Sequence, residues 1–175
     1  SVIRGNFGYS GGGVGIYSDG DVTIRNTIIR DNYARALGGG IFLWRASLKL
    51  ENVKVLSNTG RDSGGLDAYQ PPLIVMKDVE FSDNIGGGIS IINGTSSQVS
   101  NFYLTNGKFT GNYAFVSGGG AIHISNVNTV MTNAGLGIHL TYAPVIVAGA
   151  QSRHLTPDAY LETLLQQLAK RSNLS

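Results

Sequence analysis

Three aromatic side chains recur at the same place in successive glycine-marked segments of the chain. Each is the fourth residue after the last glycine of a cluster; they are Tyr17, Trp44 and Tyr69. Exposed aromatic rings can stack against sugar rings, which favour flat apolar surfaces with polar groups alongside. The nearest polar residues in this register are Arg45, Asp67 and Gln70. These residues form a candidate carbohydrate-binding surface; the alternative is an aromatic stack packed at a corner or beneath the loop 59–63.

The residues around the aromatics follow a two-residue alternation. The first and third residues after each glycine cluster are mostly apolar, as are Val14 and Ile16, so the second and fourth are expected to point outward. In the two later segments the fourth residue is Ile92 and then Ile124. The aromatic column is therefore expected to end after Tyr69 and to continue as aliphatic side chains.

Clustered carboxylates would be needed to turn such a surface into an enzyme, since they serve as acid and base or hold Ca²⁺. The carboxylates of this chain are scattered. Asp31 and Asp83 share a repeat position, but two coils at ~4.8 Å each would separate them, and they are most simply turn formers. Asp62 with Asp67, near Arg61 and Arg45, is the local cluster that merits a test. We assign no catalytic residue, and the sequence leans against an enzyme.

The histidines do not predict a metal site. His123, His139 and His154 fall at different repeat positions, and the chain has no cysteine, so no imidazole cluster or thiolate zinc site is expected. The direction of His123 is ambiguous, because Ile122 and Ile124 compete with it for inward positions. No glycine cluster has the flanking residues of a nucleotide-binding loop. We therefore expect no metal and no cofactor.

A repeat of about 26 residues must position these side chains. Asparagine recurs in three steps of 26 residues, each time three residues after an apolar side chain, and then after 28 and 21 residues. These asparagines are Asn6, Asn32, Asn58, Asn84, Asn112 and Asn133. Such a period is typical of a solenoid. Asparagine tolerates left-handed backbone torsions and can bond to the same residue one coil away, so we predict that this column forms a corner.

Alignment of the copies produces columns that alternate between apolar and variable residues, the period of a half-buried strand. Two apolar columns are Val22, Leu48, Ile74, Phe102 and Ile24, Leu50, Met76, Leu104. Two outward columns alternate in charge sign: Arg25, Glu51, Lys77 and Lys54, Glu80, Lys108. Such alternation is favourable when equivalent strands lie side by side. We predict an all-β, right-handed, single-stranded parallel β-helix of about five coils.

The pattern changes after residue 150. Thr156, Pro157 and Asp158 form a helix start, and leucines at 161, 164, 165 and 168 have the spacing of an amphipathic helix. We therefore divide the chain into a β-helix over 1–150 and a C-terminal amphipathic α-helix over 151–175. The helix would cap the open end of the solenoid or link it to another domain.

Bulk composition narrows the class of protein. The 175 residues are 42% hydrophobic and 14% charged, which favours a folded chain. The net charge of +2 comes without a Lys/Arg cluster, so no nucleic-acid partner is expected. The longest clean apolar run, 143–150, is too short to cross a bilayer. Because the chain opens on the tail of a repeat, we expect it to belong to a longer protein.

Two kinds of motif carry a family resemblance. Residues 119–122 (GGAI), 81–84 (FSDN) and 109–112 (FTGN) resemble the GGA(I/L/V) and FxxN repeats of the chlamydial polymorphic outer-membrane proteins. Those are autotransporter-like adhesins with β-helical passengers, so the resemblance implies adhesion at a secreted or cell-surface location, associated with an outer membrane. The repeats are also similar to those of the wider pectin-lyase-like superfamily of right-handed β-helices.

Three functions remain open from the sequence. The favoured one is an adhesive or ligand-binding segment of a larger surface or secreted protein, with a polysaccharide or cell-surface glycan as partner. The second is a carbohydrate-active enzyme, a polysaccharide lyase or glycoside hydrolase, which requires an acidic cluster to converge beside the aromatics. The third is a structural spacer, which is favoured if the aromatic column is buried.

Overall fold

The computed structural model describes residues 1–17, 19–94, 99–114 and 120–132, together with the backbone of 135–136. The described part is built from short strands joined by tight corners. In chain order these are β1 (Val2–Arg4), β2 (Phe7–Ser10), β3 (Val14–Tyr17), β4 (Asp21–Arg30), β5 (Tyr33–Leu37), β6 (Ile41–Trp44), β7 (Ser47–Leu56), β8 (Leu66–Tyr69), β9 (Leu73–Ser82), β10 (Ile89–Ile92), β11 (Asn101–Thr110), β12 (Ile122–Ser125), β13 (Asn128–Thr132) and β14 (Gly135–Leu136).

The strands stack in three parallel sheets that link equivalent strands of successive coils. One sheet has the order β1-β4-β7-β9-β11-β13, with β14 also beside β11, and a second has the order β3-β6-β8-β10-β12. The third begins with β2 and β5, and single bridges continue it from Tyr33 through Thr59 and Ile85 to Tyr113. The five strands of the second sheet mark five coils. The predicted parallel β-helix is confirmed.

The predicted register is also confirmed. Leu48 lies opposite Val22 and Ile74, and Phe102 continues the column from Ile74. The side chains of Leu48, Ile74 and Phe102 are buried, as are Leu50, Met76 and Leu104 in the neighbouring column. The core is therefore a set of stacked apolar columns inside the coil, and every second residue of each strand is left on an outer face.

Corners occur where single residues adopt positive φ. The long strands of the first sheet bend at one such column, Asn26, Asn52, Asp78 and Asn106, with φ between 49° and 54°. For the asparagines that recur every 26 residues, the predicted position of the corner is wrong by one residue. The positive φ belongs to the residue before each asparagine, for example Asp31 (55°) and Ser57 (52°). That residue turns the chain outward, which leaves the asparagine side chain pointing into the coil.

A ladder of buried asparagines runs through the coils. Oδ1 of Asn58 accepts hydrogen bonds from the backbone N–H (3.1 Å) and Nδ2 (2.9 Å) of Asn32. Nδ2 of Asn58 donates to Oδ1 of Asn84 (3.1 Å) and to the carbonyl of Ile29 (3.0 Å). The same pattern extends to Asn6 at one end and Asn112 at the other. Each interior carboxamide thus satisfies its donors and acceptor inside the core, as predicted for bonding between coils.

Charged columns on the outer face pair across coils. Glu80 binds Lys54 (3.0 Å) and Lys108 (2.9 Å), so the predicted alternation of sign is confirmed there. In the other column Glu51 binds Arg25 one coil away, but it takes its second partner, Lys49, from its own strand (2.7 Å). Exposed ion pairs contribute little to stability because water and salt screen them, so these pairs favour the register without creating it.

Glycines allow close approach at the turn into the second sheet. Gly38 has a φ of +56°, and an added Cβ would collide with the carbonyl of Ile41. At Gly65 a Cβ would collide with the carbonyl of Gly88 one coil away. The predicted roles of the glycine clusters, positive φ and close packing between coils, are confirmed at these positions.

The C-terminal predictions fall on residues that the structure does not describe. Asn133, the boundary at residue 150 and the amphipathic helix of 151–175 all lie outside the described residues. In the part of the chain that is described, no helix has the length and hydropathy needed to cross a membrane.

Removal of a ladder carboxamide is expected to destabilise the fold strongly. Asn58→Ala removes the acceptor of both the buried N–H and the buried Nδ2 of Asn32, so the free energy of unfolding should fall by about 3 kcal/mol or more. The matched control is Asn52→Gly, which removes an exposed bond to Asn26 (2.8 Å) and keeps the positive φ. That control should cost under about 1 kcal/mol. Equal losses in urea denaturation would contradict the ladder.

Truncation of a core aromatic tests the register. Phe81 is fully buried, and its ring stacks on that of Phe109 at 5.4 Å and 9°. Phe81→Ala should lower the free energy of unfolding by about 3 to 5 kcal/mol, because the stack of coils cannot collapse around the cavity. Lys77→Ala, on the exposed side of the same strand, should change it by less than about 0.5 kcal/mol. A loss under about 1 kcal/mol for Phe81→Ala would contradict the register.

Candidate functional site

The outer face of the second sheet carries two side-chain columns. Strand β8 shows the pattern: Leu66 and Ala68 point into the core, whereas Asp67 and Tyr69 point outward. One column, called the aromatic column, consists of Tyr17, Trp44 and Tyr69 and continues through Ile92 and Ser125. The other, called the second column, consists of Gly15, Phe42, Asp67, Ser90 and His123. Hydrogen bonding between neighbouring strands fixes both columns in register.

The three aromatics are exposed. Tyr17, Trp44 and Tyr69 have relative exposures of 56%, 47% and 40%, so they are not packed away beneath the loop 59–63. Trp44 meets Tyr69 edge to face, with ring centroids 6.4 Å apart and planes at 80°. Tyr17 leans instead on Phe42, at 5.3 Å and 54°. The rings therefore support one another while much of their surface faces outward.

The column does not continue as the glycine count predicts. Ile89 pairs with Ile122, not with Ala121, so the last coil contains one extra residue before its strand. Ile124 consequently points into the core, with 8% exposure, and Ser125 follows Ile92 in the aromatic column. The sequence signal for this register is the pair of isoleucines on either side of His123. If Ile122 and Ile124 both point inward, His123 must point outward.

The middle of the second column is buried although it lies on an outer face. Phe42, Asp67 and Ser90 have exposures of 2%, 7% and 6%. Burial, reinforced by the negative charge of Asp62, raises the pKa of Asp67 to about 6, and a hydrogen bond from Ser90 opposes that rise. Burial also lowers the pKa of His123. Sequence reasoning identified Asp67 but missed Phe42, Ser90 and His123 as its neighbours, because their column is visible only once the strands are in register.

Arg45 and Gln70 occupy a corner beside the aromatics. Both adopt positive φ, 55° and 51°, directly after Trp44 and Tyr69. Their backbone N–H groups donate to carbonyl groups of the next coil. Arg45 donates to the carbonyl of Tyr69 (3.0 Å), and Gln70 donates to the carbonyl of Ile92 (2.8 Å). Arg45 is exposed and Gln70 is half-buried. The fold thus brings both residues to the edge of the aromatic column, although the sequence did not identify them as the turn formers.

The remaining carboxylates have structural partners. Asp62 is bound by Arg61 at 2.8 Å, and it lies near enough to Asp67 to disfavour a second negative charge there. Asp31 and Asp83 are turn residues with positive φ, as predicted. Within the described residues there is no group of three or more histidine and acidic side chains that could hold a metal ion. His139 and His154 lie outside them.

Asp67 is expected to make stability fall as pH rises. Its folded pKa of about 6 exceeds its ordinary value of 3.8, so its contribution is present below about pH 4 and is lost as pH rises through 6. Asp67→Asn should therefore raise the free energy of unfolding at pH 7.5 by up to about 3 kcal/mol. The substitution should also remove the part of the fall in stability between pH 4 and 6 that the ionisation of Asp67 causes.

Denaturant unfolding of the unchanged protein and of Asp67→Asn across this pH range measures the difference in stability. Asp78→Asn serves as the control, since Asp78 is exposed and asparagine occupies the same corner column in other coils, at Asn26 and Asn52. If the free energy of unfolding depends on pH in the same way for the unchanged protein and for Asp67→Asn, the raised pKa of Asp67 is contradicted.

Comparison with known proteins identifies the family. The right-handed β-helix region family matches residues 2–142. No curated protein and no solved structure gives a significant match. The match concerns the β-helix family as a whole, so the resemblance to the chlamydial proteins remains a prediction. The chain belongs to the right-handed β-helix family.

Proposed function

We propose that this β-helix is a glycan-binding segment of a surface or secreted protein, and that the aromatic column is its binding surface. The observation that carries the proposal is the exposure of Tyr17, Trp44 and Tyr69 in three successive coils on one sheet. A purely structural stack would gain most by being buried. The 40–56% exposure of these rings favours a surface that meets a ligand.

The geometry suits an extended saccharide. Neighbouring strands in a sheet are about 4.8 Å apart, so the column offers an aromatic group at each coil along the solenoid axis. A saccharide chain that follows this axis would place consecutive rings over consecutive side chains. Trp44, at the centre of the column and with the largest ring, is the expected main contact.

The polar groups that a sugar requires lie beside the rings. Asp67 and Tyr69 are two residues apart on β8 and point to the same face. Ser90 lies opposite Asp67 on the neighbouring strand, and its hydrogen bond to the Asp67 carboxyl group favours the ionised form. Arg45 and Gln70 stand at the adjoining corner. A ligand hydroxyl that reaches the edge of the column would therefore find both hydrogen-bond donors and hydrogen-bond acceptors.

The backbone scaffold limits the entropic cost of binding. Each site residue lies on a strand that is hydrogen-bonded to its neighbours, or on the corner directly after one. Ring contacts between Trp44 and Tyr69 restrict their rotamers further. Preorganised side chains lose little freedom on binding. A rigid surface of this kind fits a ligand that is itself extended and repetitive.

A glycan array of neutral and acidic saccharides tests the proposal. The unchanged chain should bind a subset, and Trp44→Ala should weaken that binding by at least about tenfold, since a buried aromatic contact contributes on the order of 1.5 kcal/mol or more. Tyr103→Ala is the matched control, because Tyr103 has 44% exposure but lies on the first sheet. Circular dichroism confirms the fold of both variants.

Two outcomes would contradict the proposal. One is the absence of binding by the unchanged chain, and the other is an equal loss in Trp44→Ala and Tyr103→Ala. Size analysis of the captured glycans tests the enzymatic alternative on the same samples, since shortened chains would indicate cleavage with Asp67 as the nearest proton donor.

A further inference from the structure

Apolar side chains run along the outer face of the first sheet in its later coils. Val75 on β9 lies opposite Tyr103 on β11, and Tyr103 lies opposite Val130 on β13. Tyr103 is 44% exposed and Val130 50%, and Val75 is half-buried. Leu73 lies two residues before Val75 on β9, so it points to the same face, and it is also exposed. We call Leu73, Val75, Tyr103 and Val130 the apolar stripe.

The apolar stripe takes the place of polar residues in the earlier coils. At the position of Val75, strand β4 has Thr23 and strand β7 has Lys49. The adjacent outward column stays polar along the whole sheet: Arg25, Glu51, Lys77, Thr105 and Thr132. A contiguous apolar surface with polar residues around it marks a place where another surface packs. The change from Lys49 to Val75 therefore indicates a partner for the later coils alone.

The exposure of Tyr103 does not come from a missing neighbour in the sheet. Strand β11 has β9 on one side and β13 on the other, and the inward residues Phe102 and Leu104 are buried. The inward Met131 of the last described coil is fully buried as well. Among the described residues of these coils, the uncovered apolar surface of this sheet is therefore its outer face, not the end of its core columns.

The chain itself contains a segment that suits the stripe. The last described strand, β14, lies beside β11 on this same sheet, and residues 137–175 follow it. Within them, the sequence 156–171 predicts an amphipathic helix with leucines at 161, 164, 165 and 168. Residues 137–155 connect the two, and an extended chain of that length spans up to about 60 Å. The connection is thus long enough for the segment to return to the stripe.

The dimensions of the segment and the stripe agree. Leu168 follows Leu161 by seven residues, which is about 10 Å along a helix that rises ~1.5 Å per residue. Val75 and Val130 are two strand spacings apart, which is also about 10 Å at ~4.8 Å each. A helix whose axis follows the solenoid axis would therefore place successive leucines over successive coils. Its opposite side would present Glu162 and Gln166 to water.

We propose that residues 156–171 of this chain fold as an amphipathic helix against the apolar stripe. An isolated helix of this length is marginal in water, so it needs an apolar partner. A second copy of the chain would offer the same leucines, but the chain's own segment is tethered at an effective concentration on the order of mM. The helix then covers the outer face of the first sheet and leaves the aromatic column of the second sheet open.

Disulfide cross-linking tests this contact, because the chain has no cysteine of its own. Tyr103→Cys combined with Leu164→Cys should oxidise to a bond within the full-length chain, since residues that face each other come within the Cα separation of about 6 Å that a disulfide needs. The control pair is Thr23→Cys with Leu164→Cys. Thr23 is exposed in the same column, three strands before Tyr103, and should not be cross-linked.

A second pair of variants tests which side of the segment makes the contact. Leu165→Asp, added to the Tyr103→Cys and Leu164→Cys chain, should abolish the cross-link and lower the midpoint of thermal unfolding measured under reducing conditions. Gln167→Asp, on the opposite side of the helix, should change neither. Circular dichroism confirms that each variant keeps its β-helix.

Three results would overturn the proposal. The first is no cross-link at Tyr103→Cys, or an equal one at Thr23→Cys. The second is a bond that forms between chains and not within one, which would assign the stripe to a second copy. The third is an equal effect of Leu165→Asp and Gln167→Asp. Because Trp44 and the glycan array are not involved, this proposal and the proposed function can fail separately.

Discussion

The whole structure depends on hydrogen bonding between each coil and the next in one register. Backbone pairing alone does not determine that register, because parallel strands can slip. The buried asparagine ladder restricts it: the carboxamide of Asn58 reaches Asn32, Asn84 and Ile29 at once, and a slip would leave these groups unsatisfied in the core. Apolar columns then gain by stacking like on like, as Phe81 does on Phe109.

This constraint frees the outer faces for other uses. Since the interior columns and the corners hold the fold, outward residues can vary from coil to coil without loss of the core. On the second sheet they form the exposed aromatic column and the buried Asp67 beside it. On coils one and two they include the stacked rings of Phe7 and Tyr33.

Much of the fold could be predicted from sequence because each coil is a further observation of the same columns. The columns through Leu48 and Leu50 were correct in every described coil. One error arose where the copies differ, because an extra residue before β12 turns Ile124 inward. The other recurs from coil to coil, because the positive φ falls on the residue before each ladder asparagine, for example on Asp31 and not on Asn32. The burial of Ser90 and Phe42 beside Asp67 was not predictable, since the two-residue alternation places all three on the outer face.

Intrinsic tryptophan fluorescence tests the central claim most directly, because Trp44 is the only tryptophan in the chain. The exposed indole should emit at long wavelength and be accessible to acrylamide. Titration with a soluble oligosaccharide of a class that binds in the glycan array should produce a saturable blue shift. It should also protect the indole from quenching, as expected when a sugar ring covers it. An unchanged spectrum and unchanged quenching at saturating ligand would show that the aromatic column is not the binding surface.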